Sequence, residues 1–244
     1  MTPSTPEYSI IVPAWNEEAV LPQTLAQLRA AADGVGRAYE LIVVDDDSSD
    51  RTAEVSRAAG ARVVQVKKRQ IAAVRNAGAQ ACSAPYIIFC DADTFVPETV
   101  IRNALLEMDE GAVGGGARVA FDSRGSLLAE VFFAVFKVYW YMNKLAAGCF
   151  FFARRSDFEA VGGFDETWYA SEEYWLSLAL KKRGRFALLH EEVISSARKQ
   201  RANSGFKLLF LLARFFIGGR NMLQKREQLP LWYDGTREGK RVDV

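Results

Sequence analysis

Asp45, Asp46, Asp47 and Asp50 close an apolar run that begins at Ile42, and Asp91 and Asp93 close another that begins at Ile87. Carboxylates at the end of a buried strand are costly unless a cation or hydrogen-bond donors meet them. In an open α/β sheet that end of the strands is also where ligands bind. The two clusters therefore point to a site for a divalent cation and a polar, phosphorylated ligand. Asp91 and Asp93 offer the hard oxygen donors that Mg2+ or Mn2+ takes, with substrate phosphates completing the shell. A D-x-D can also simply cap the turn that follows it.

The elements that must carry these residues alternate through the first hundred positions. Strands are expected over Tyr8–Pro13, Glu40–Val44, Ala61–Val66 and Tyr86–Cys90. Helices are expected over Ala19–Ala32, from Asp50 to about Ala59, over Gln70–Ala81, and over Pro97–Met108 with its proline near the start. Continuous apolar strands between helices imply a mostly parallel sheet covered on both faces. Gly111–Phe121 reads as a glycine-rich strand. Ser126–Ala146 reads as a long helix, apolar almost all round, whose Glu130, Lys137 and Lys144 fall on one stripe. Phe206–Ile217, with Lys207 and Arg214, repeats that theme. Charges interrupt both helices, so neither makes a good membrane span. Packing against the sheet or a partner subunit in a homodimer, or peripheral contact with a bilayer or lipid acceptor, stay open.

The 244 residues, half of them hydrophobic and a quarter charged, suit one large folded domain or a domain with an appendage. The net charge of +1 hides an asymmetry: Lys181–Arg226 carries twelve Lys/Arg against Glu191 and Glu192. That stretch suits phosphates or anionic lipid, or the solvated faces of helices. Nucleic acid is not an expected partner. Cys82, Cys90 and Cys149 lie in apolar surroundings, as buried free thiols in a reducing compartment would. The opening MTPSTPEYS has neither the basic start nor the apolar core of a signal peptide. A cytoplasmic protein is expected, either free or peripheral at the inner face of the plasma membrane.

Six blocks, in order, carry a family resemblance: Pro13-Ala14-Trp15-Asn16-Glu17-Glu18; Val44-Asp45-Asp46-Asp47-Ser48-Ser49-Asp50; Arg75-Asn76-Ala77-Gly78; Asp91-Ala92-Asp93; Gly162-Gly163-Phe164-Asp165-Glu166; and Ser171-Glu172-Glu173-Tyr174-Trp175-Leu176. From about Tyr8 to Arg201 the chain resembles the family 2 glycosyltransferases. The resemblance implies a GT-A fold, that is, a Rossmann-like, mostly parallel sheet flanked by helices with a C-terminal helical region on the acceptor side. It also implies a nucleotide-diphosphate-sugar donor, a divalent metal and inversion at the anomeric carbon. The expected organisation is a GT-A domain over 1–201, with a nucleotide-sugar half to about 110 and an acceptor half from 111. Residues 202–244 would form an amphipathic helix and tail.

The same resemblance distributes roles. Pro13, Ala14, Glu17, Asp45, Asp46, Arg75, Asp91 and Arg198 fall on the donor side, with Asp46 facing the nucleotide base and Asp45 orienting its loop. A carboxylate there would select a ring N–H such as that of uracil, which favours a UDP-sugar. Arg75 would pair with phosphate or stack on the base. Asp93 is the expected direct metal ligand. Asp91 would bind through water or meet the ribose, and His190, the only histidine and expected at a strand end, is a third metal candidate. Glu173 stands where the family carries its catalytic aspartate, with Glu172 as fallback base. Two carboxylates at a helix N-terminus are otherwise favoured by about 0.3–1 kcal/mol on dipole grounds alone. The family often has glycine where Asp47 stands; aspartate tolerates positive φ better than most residues. Gly148-Cys149-Phe150 falls near the hydroxyl acceptor, whose identity stays open between a lipid-linked molecule and a cell-envelope glycan precursor. A sugar-phosphate nucleotidyltransferase would share the paired aspartates, but no glycine-rich basic loop follows the first strand. A non-catalytic, membrane-peripheral nucleotide-sugar binder is opposed by the intact Asp93 and Glu173.

Overall fold

The computed structural model describes residues 5–122 and 137–196. Arg198, the first part of the 126–146 helix, the 206–217 helix and the tail at 202–244 lie outside the described residues.

β1 (Tyr8–Ala14), α1 (Leu21–Val35), β2 (Tyr39–Asp46), α2 (Thr52–Ala58), β3 (Arg62–Val66), α3 (Ile71–Ala81) and β4 (Tyr86–Cys90) alternate as the apolar periodicity requires. β5 (Thr94–Phe95), α4 (Glu98–Asp109) and β6 (Gly114–Phe121) follow, then helical residues 137–142 (α5), β7 (Phe150–Arg154), α6 (Arg155–Ala160), α7 (Glu172–Lys181) and β8 (Phe186–Ser195). The eight strands form one sheet in the order β3-β2-β1-β4-β7-β6-β8-β5. β3, β2, β1 and β4 are mutually parallel. The second half is mixed, because β7 runs antiparallel to both β4 and β6. Its first residue, Phe150, pairs with Cys90, the last of β4, so the chain enters β7 at the carboxyl end of β4 and can only run back.

Each face of the sheet is buried by its own helices. Leu21, Leu25 and Leu28 of α1 pack with Val100, Ile101 and Leu105 of α4 over one face. Val74 of α3, Phe158 of α6, and Leu176 and Leu180 of α7 cover the other. β1, β2, β4, β6 and β8 consequently all deliver their carboxyl ends, and β7 its start, to one edge of the molecule.

Two local features differ from expectation. The helix expected to reach Ala146 stops at residue 142. Leu145 N donates to Trp140 O (3.0 Å) and Lys144 N to Tyr141 O (3.0 Å), with Lys144 at φ 45°. This is a Schellman termination with lysine where glycine is usual, and it turns the chain down towards Gly148. β8 extends past the FALLH run to Ser195, so His190 sits mid-strand rather than at a strand end.

α3 lies close on β1 and β2 because Gly78 has no side chain. A Cβ there would overlap Ile11 Cγ2 and come within 2.9 Å of Val44 Cγ2. Gly78→Ala should destabilise the chain by about 1–3 kcal/mol through overpacking, read as a lower urea midpoint. An unchanged midpoint would show that α3 can lift without cost.

Candidate active site

The loops that leave β1 and β2 are laced together. Asn16 N donates to Ser48 Oγ (2.9 Å), Ser49 N to Asn16 Oδ1 (2.8 Å), and Glu17 N to Thr52 Oγ1 (2.8 Å). Asp50 accepts from the Glu18 amide (3.2 Å) and from Thr52 N (2.9 Å), the first residue of α2. Asn16 and Asp47 make these turns at φ 52° and 55°. Asp45 is buried and accepts from the Ser48 amide at 3.3 Å. Asp46, also buried, takes the amides of Lys68 (2.7 Å) and Arg69 (2.8 Å), one on each oxygen. Its carboxylate therefore builds the loop after β3, a job that the resemblance did not imply. That loop carries Lys67, Lys68 and Arg69, and the Arg69 guanidinium lies 4.4 Å over the Trp15 ring. Pro13 and Ala14 end β1 and Glu17 lies in the loop that follows, Ala14 and Glu17 being buried.

Arg75 sits beneath the next part of the edge. It is 2% exposed, so it lies under the site and not on its surface. Its Nη1 meets Glu172 Oε1 at 2.5 Å, its Nη2 meets Asp91 Oδ1 at 2.9 Å and Gly148 O at 2.7 Å, and its plane lies over Phe164 at 5.4 Å. Burial opposes its charge, but Asp91 and then Glu172 and Glu173 outweigh that and hold the proton more tightly than usual. The resemblance placed Arg75 against phosphate or base; in the structure its Nη donors go to Glu172, Asp91 and Gly148, and only Nε has no partner among the described residues.

Asn76 makes the matching clamp on the neighbouring motif. Its amide nitrogen donates to Phe164 O (2.8 Å) and Glu166 Oε1 (2.9 Å), and its oxygen accepts from Phe164 N (2.9 Å). Gly162 and Gly163, at φ 84° and 71°, give the backbone the turn that brings Phe164 into the core. Gln70 donates to the carbonyls of Glu166 and Trp168. Burial works against the Asp165 carboxylate, yet hydrogen bonds from the Thr167 amide and hydroxyl and the Trp168 indole bring its pKa below the usual value. This loop delivers Ser171, at φ 61°, and the first turn of α7.

Glu172 faces inward and is spent on Arg75; burial pushes its pKa up while Arg75 pulls against it. Glu173 points to the partly open side. Withdrawal from water, and then the charge of Glu172, push its carboxyl up to about 8, with Arg75 opposing. A Cβ placed on Gly148 would stand 3.4 Å from Glu173 Cδ and 3.3 Å from Arg75 Nη2, so all three groups share one small space.

Asp91 and Asp93 flank the turn after β4. Asp91 N donates to Cys149 O (3.2 Å) and Ser196 N to Asp93 O (3.2 Å), which ties the turn to the start of β7 and the end of β8. Asp91 keeps one oxygen beyond the one Arg75 holds. Among the described residues no three His, Cys, Asp or Glu side chains converge to hold an ion by themselves. One or two carboxylates beside an open edge fit a hard cation that draws its other ligands from phosphates and water. His190 is not brought to them. It is exposed, Arg118 Nη2 lies 3.2 Å from its Nδ1, and five residues of extended strand separate it from Ser195. Among the described residues no group of three ligating side chains joins it to Asp91 and Asp93.

The model for the family "Glycosyl transferase family 2" matches residues 9–162. The chain belongs to glycosyltransferase family 2. Among curated relatives, an undecaprenyl-phosphate 4-deoxy-4-formamido-L-arabinose transferase of Shewanella sediminis is 37% identical over 110 residues, 42% of this chain and 33% of that protein. The Pseudomonas aeruginosa enzyme of the same name is 35% identical over 130 residues, 50% of this chain and 35% of its own. The match thus spans about a third of the length of these relatives. A mannosyltransferase from Pyrobaculum calidifontis, in complex with GDP-Man and Mn2+, has the same fold at TM-score 0.65 and 18% identity, covering 93% of this chain and 73% of that one. Glucosyl-3-phosphoglycerate synthase from Mycobacterium tuberculosis, in complex with Mn2+, UDP and glucosyl-3-phosphoglycerate, does so at 0.60 and 18%, covering 94% and 80%. The GT-A fold is shown by these neighbours.

Lys67, Lys68 and Arg69, in the loop after β3, belong to none of the six motif blocks, and Trp15 stands in the first block with no role implied for it there. Three consecutive cations at the carboxyl end of a strand, beside two aspartate clusters, were the available signal. Cys90 and Cys149 lie against the aspartate turn; burial and then Asp91 push both thiols up, so neither offers a thiolate near neutrality.

The raised Glu173 pKa has a stability consequence. The folded chain binds that proton more tightly than the unfolded chain, whose value is near 4.5. The stabilisation is complete below the unfolded value and is lost as pH rises through about 8. With EDTA present, the Tm of Glu173→Gln should rise relative to the parent chain between about pH 5 and pH 9. A difference that stays constant across that range would contradict the assignment.

Proposed function

We propose that this chain is a metal-dependent inverting glycosyltransferase that moves a sugar from a nucleotide diphosphate to an acceptor oxygen. The observation that supports this best is the Arg75 cluster, which joins the Asp91 turn to the Glu172-Glu173 pair at the ligand edge of the sheet. Pro13, Ala14, Glu17 and the Asp45-Asp46 strand end would border the nucleotide, with Trp15 and Arg69 beside it. Asp93, with the open oxygen of Asp91, would hold Mn2+ or Mg2+. When bound, such a cation offsets the charge that develops on the departing diphosphate.

Glu173 is the base in this reading, since Glu172 is committed to Arg75. The acceptor oxygen forms its bond to the anomeric carbon from the face opposite the diphosphate, the carbon–diphosphate bond breaks, and the acceptor proton passes to Glu173. The chain would act in the cytoplasm or at the inner face of the membrane. Among the described residues no helix is long and apolar enough to cross a bilayer.

A second reading of the acceptor is supported by the names of the relatives, which act on undecaprenyl phosphate. A phosphate oxygen is already ionised near neutrality and needs no base. A protonated Glu173 would then donate a hydrogen bond to it.

Transfer assays with UDP-, GDP- and dTDP-sugars separate these cases. EDTA and Asp93→Ala should each abolish turnover. Glu173→Gln should lower kcat by about 10²–10⁴-fold with a hydroxyl acceptor. With a polyprenyl phosphate the same substitution should cost less than about tenfold, because the introduced side-chain amide still donates a hydrogen bond. Full activity in EDTA or in Asp93→Ala would sink the proposal.

A further inference from the structure

A second surface is formed by α5 and the end of α7. Among the described residues, six large hydrophobic side chains are exposed, and three of them, Val138 (56%), Tyr139 (50%) and Met142 (79%), stand together on α5. Behind them runs a chain of aromatic contacts: Tyr139 to Trp140 at 6.2 Å, Trp140 to Tyr174 at 6.0 Å, and Tyr174 to Trp175 at 4.9 Å.

Lysines stand at the end of the apolar face. Lys144 occupies the terminating turn of α5, and Lys181 and Lys182 end α7, whereas the Lys137 ammonium turns back over the Phe121 ring at 5.6 Å. Lys181 Nζ donates to Asn143 O, which fastens the end of α7 to the end of α5. The ion pairs of the described residues include none of these four lysines. Loss of water and then the Lys144 ammonium lower the proton affinity of Lys181.

We propose that this face docks on an anionic bilayer, with Val138, Tyr139 and Met142 at the headgroup boundary and Lys144, Lys181 and Lys182 on lipid phosphates. Apolar and aromatic residues on a helix face, with lysines at its end, have the chemistry of an interfacial contact, and tyrosine and tryptophan suit that depth. Charge selects the occupant. A second copy of this chain meeting the face across a two-fold axis would set lysines against lysines, whereas lipid phosphates neutralise them. Glu173 lies eight residues before Lys181 in α7, about 12 Å along the helix, so the surface stands close to the acidic pair. Docking is independent of the transfer chemistry proposed above.

Co-sedimentation of the full chain with vesicles tests this. Pelleting is expected with vesicles containing about a third phosphatidylglycerol, little with phosphatidylcholine alone, and less when salt rises from about 50 to about 500 mM. Val138→Glu/Met142→Glu and Lys144→Glu/Lys182→Glu should each cut the pelleted fraction about tenfold, with circular dichroism unchanged. Equal pelleting on neutral vesicles, or undiminished pelleting of both variants, would overturn the proposal. So would a lipid-free dimer in sedimentation velocity that Val138→Glu/Met142→Glu disperses, because the face would then be an interface between copies.

Discussion

A guanidinium with almost no access to water is the constraint on which the rest of this site depends. Arg75 cannot remain charged in the core without acids, and it is satisfied by Asp91 from the end of β4, Glu172 from the start of α7 and the Gly148 carbonyl from the turn before β7. Each comes from a different part of the chain, so one buried cation fixes the relative positions of the Asp91 turn, the Gly148 turn and the acidic helix. Removing one partner of such a group leaves an uncompensated buried charge, which is strongly destabilising.

The arrangement also divides labour between adjacent carboxylates. Glu172 turns inward and neutralises Arg75, and its negative charge, together with burial, makes Glu173 a stronger base than a free glutamate. Neighbouring acids whose environments differ take different roles, as acid–base sites generally require. At the other end of the edge, Asp46 spends its carboxylate on backbone amides and so presents Lys68 and Arg69 at the strand ends. The aspartates that look equivalent in sequence thus do different work: Asp46 shapes a loop, Asp91 shares itself with Arg75, and Asp93 remains the main candidate for a cation.

Much of this was legible in the residues themselves. The parallel half of the sheet follows from apolar strands alternating with helices, and Tyr86–Cys90 coincides with β4. What stayed hidden depended on distant partners or unusual backbone. The ion partners of Arg75 lie 16 and 97 residues away, which no local pattern records. The end of α5 is set by Lys144 in the left-handed region, where glycine would have been the signal. His190 looked terminal because the apolar run stops there. β8 continues through exposed His190 and Glu192 as an alternating strand that buries Val193. β7 runs antiparallel because of where Gly148 delivers the chain, which is a property of tertiary structure.

The central claim, that Arg75 is the shared counter-ion of this site, is tested most directly by a urea-denaturation double-mutant cycle at Arg75 and Glu172. Arg75→Met should cost about 3–5 kcal/mol, because it strands the buried Glu172 carboxylate and unpairs the half-buried Asp91. Adding Glu172→Gln should recover at least about 1 kcal/mol of that loss, a coupling of the size expected for directly contacting groups. Additive losses from the two substitutions would contradict the account.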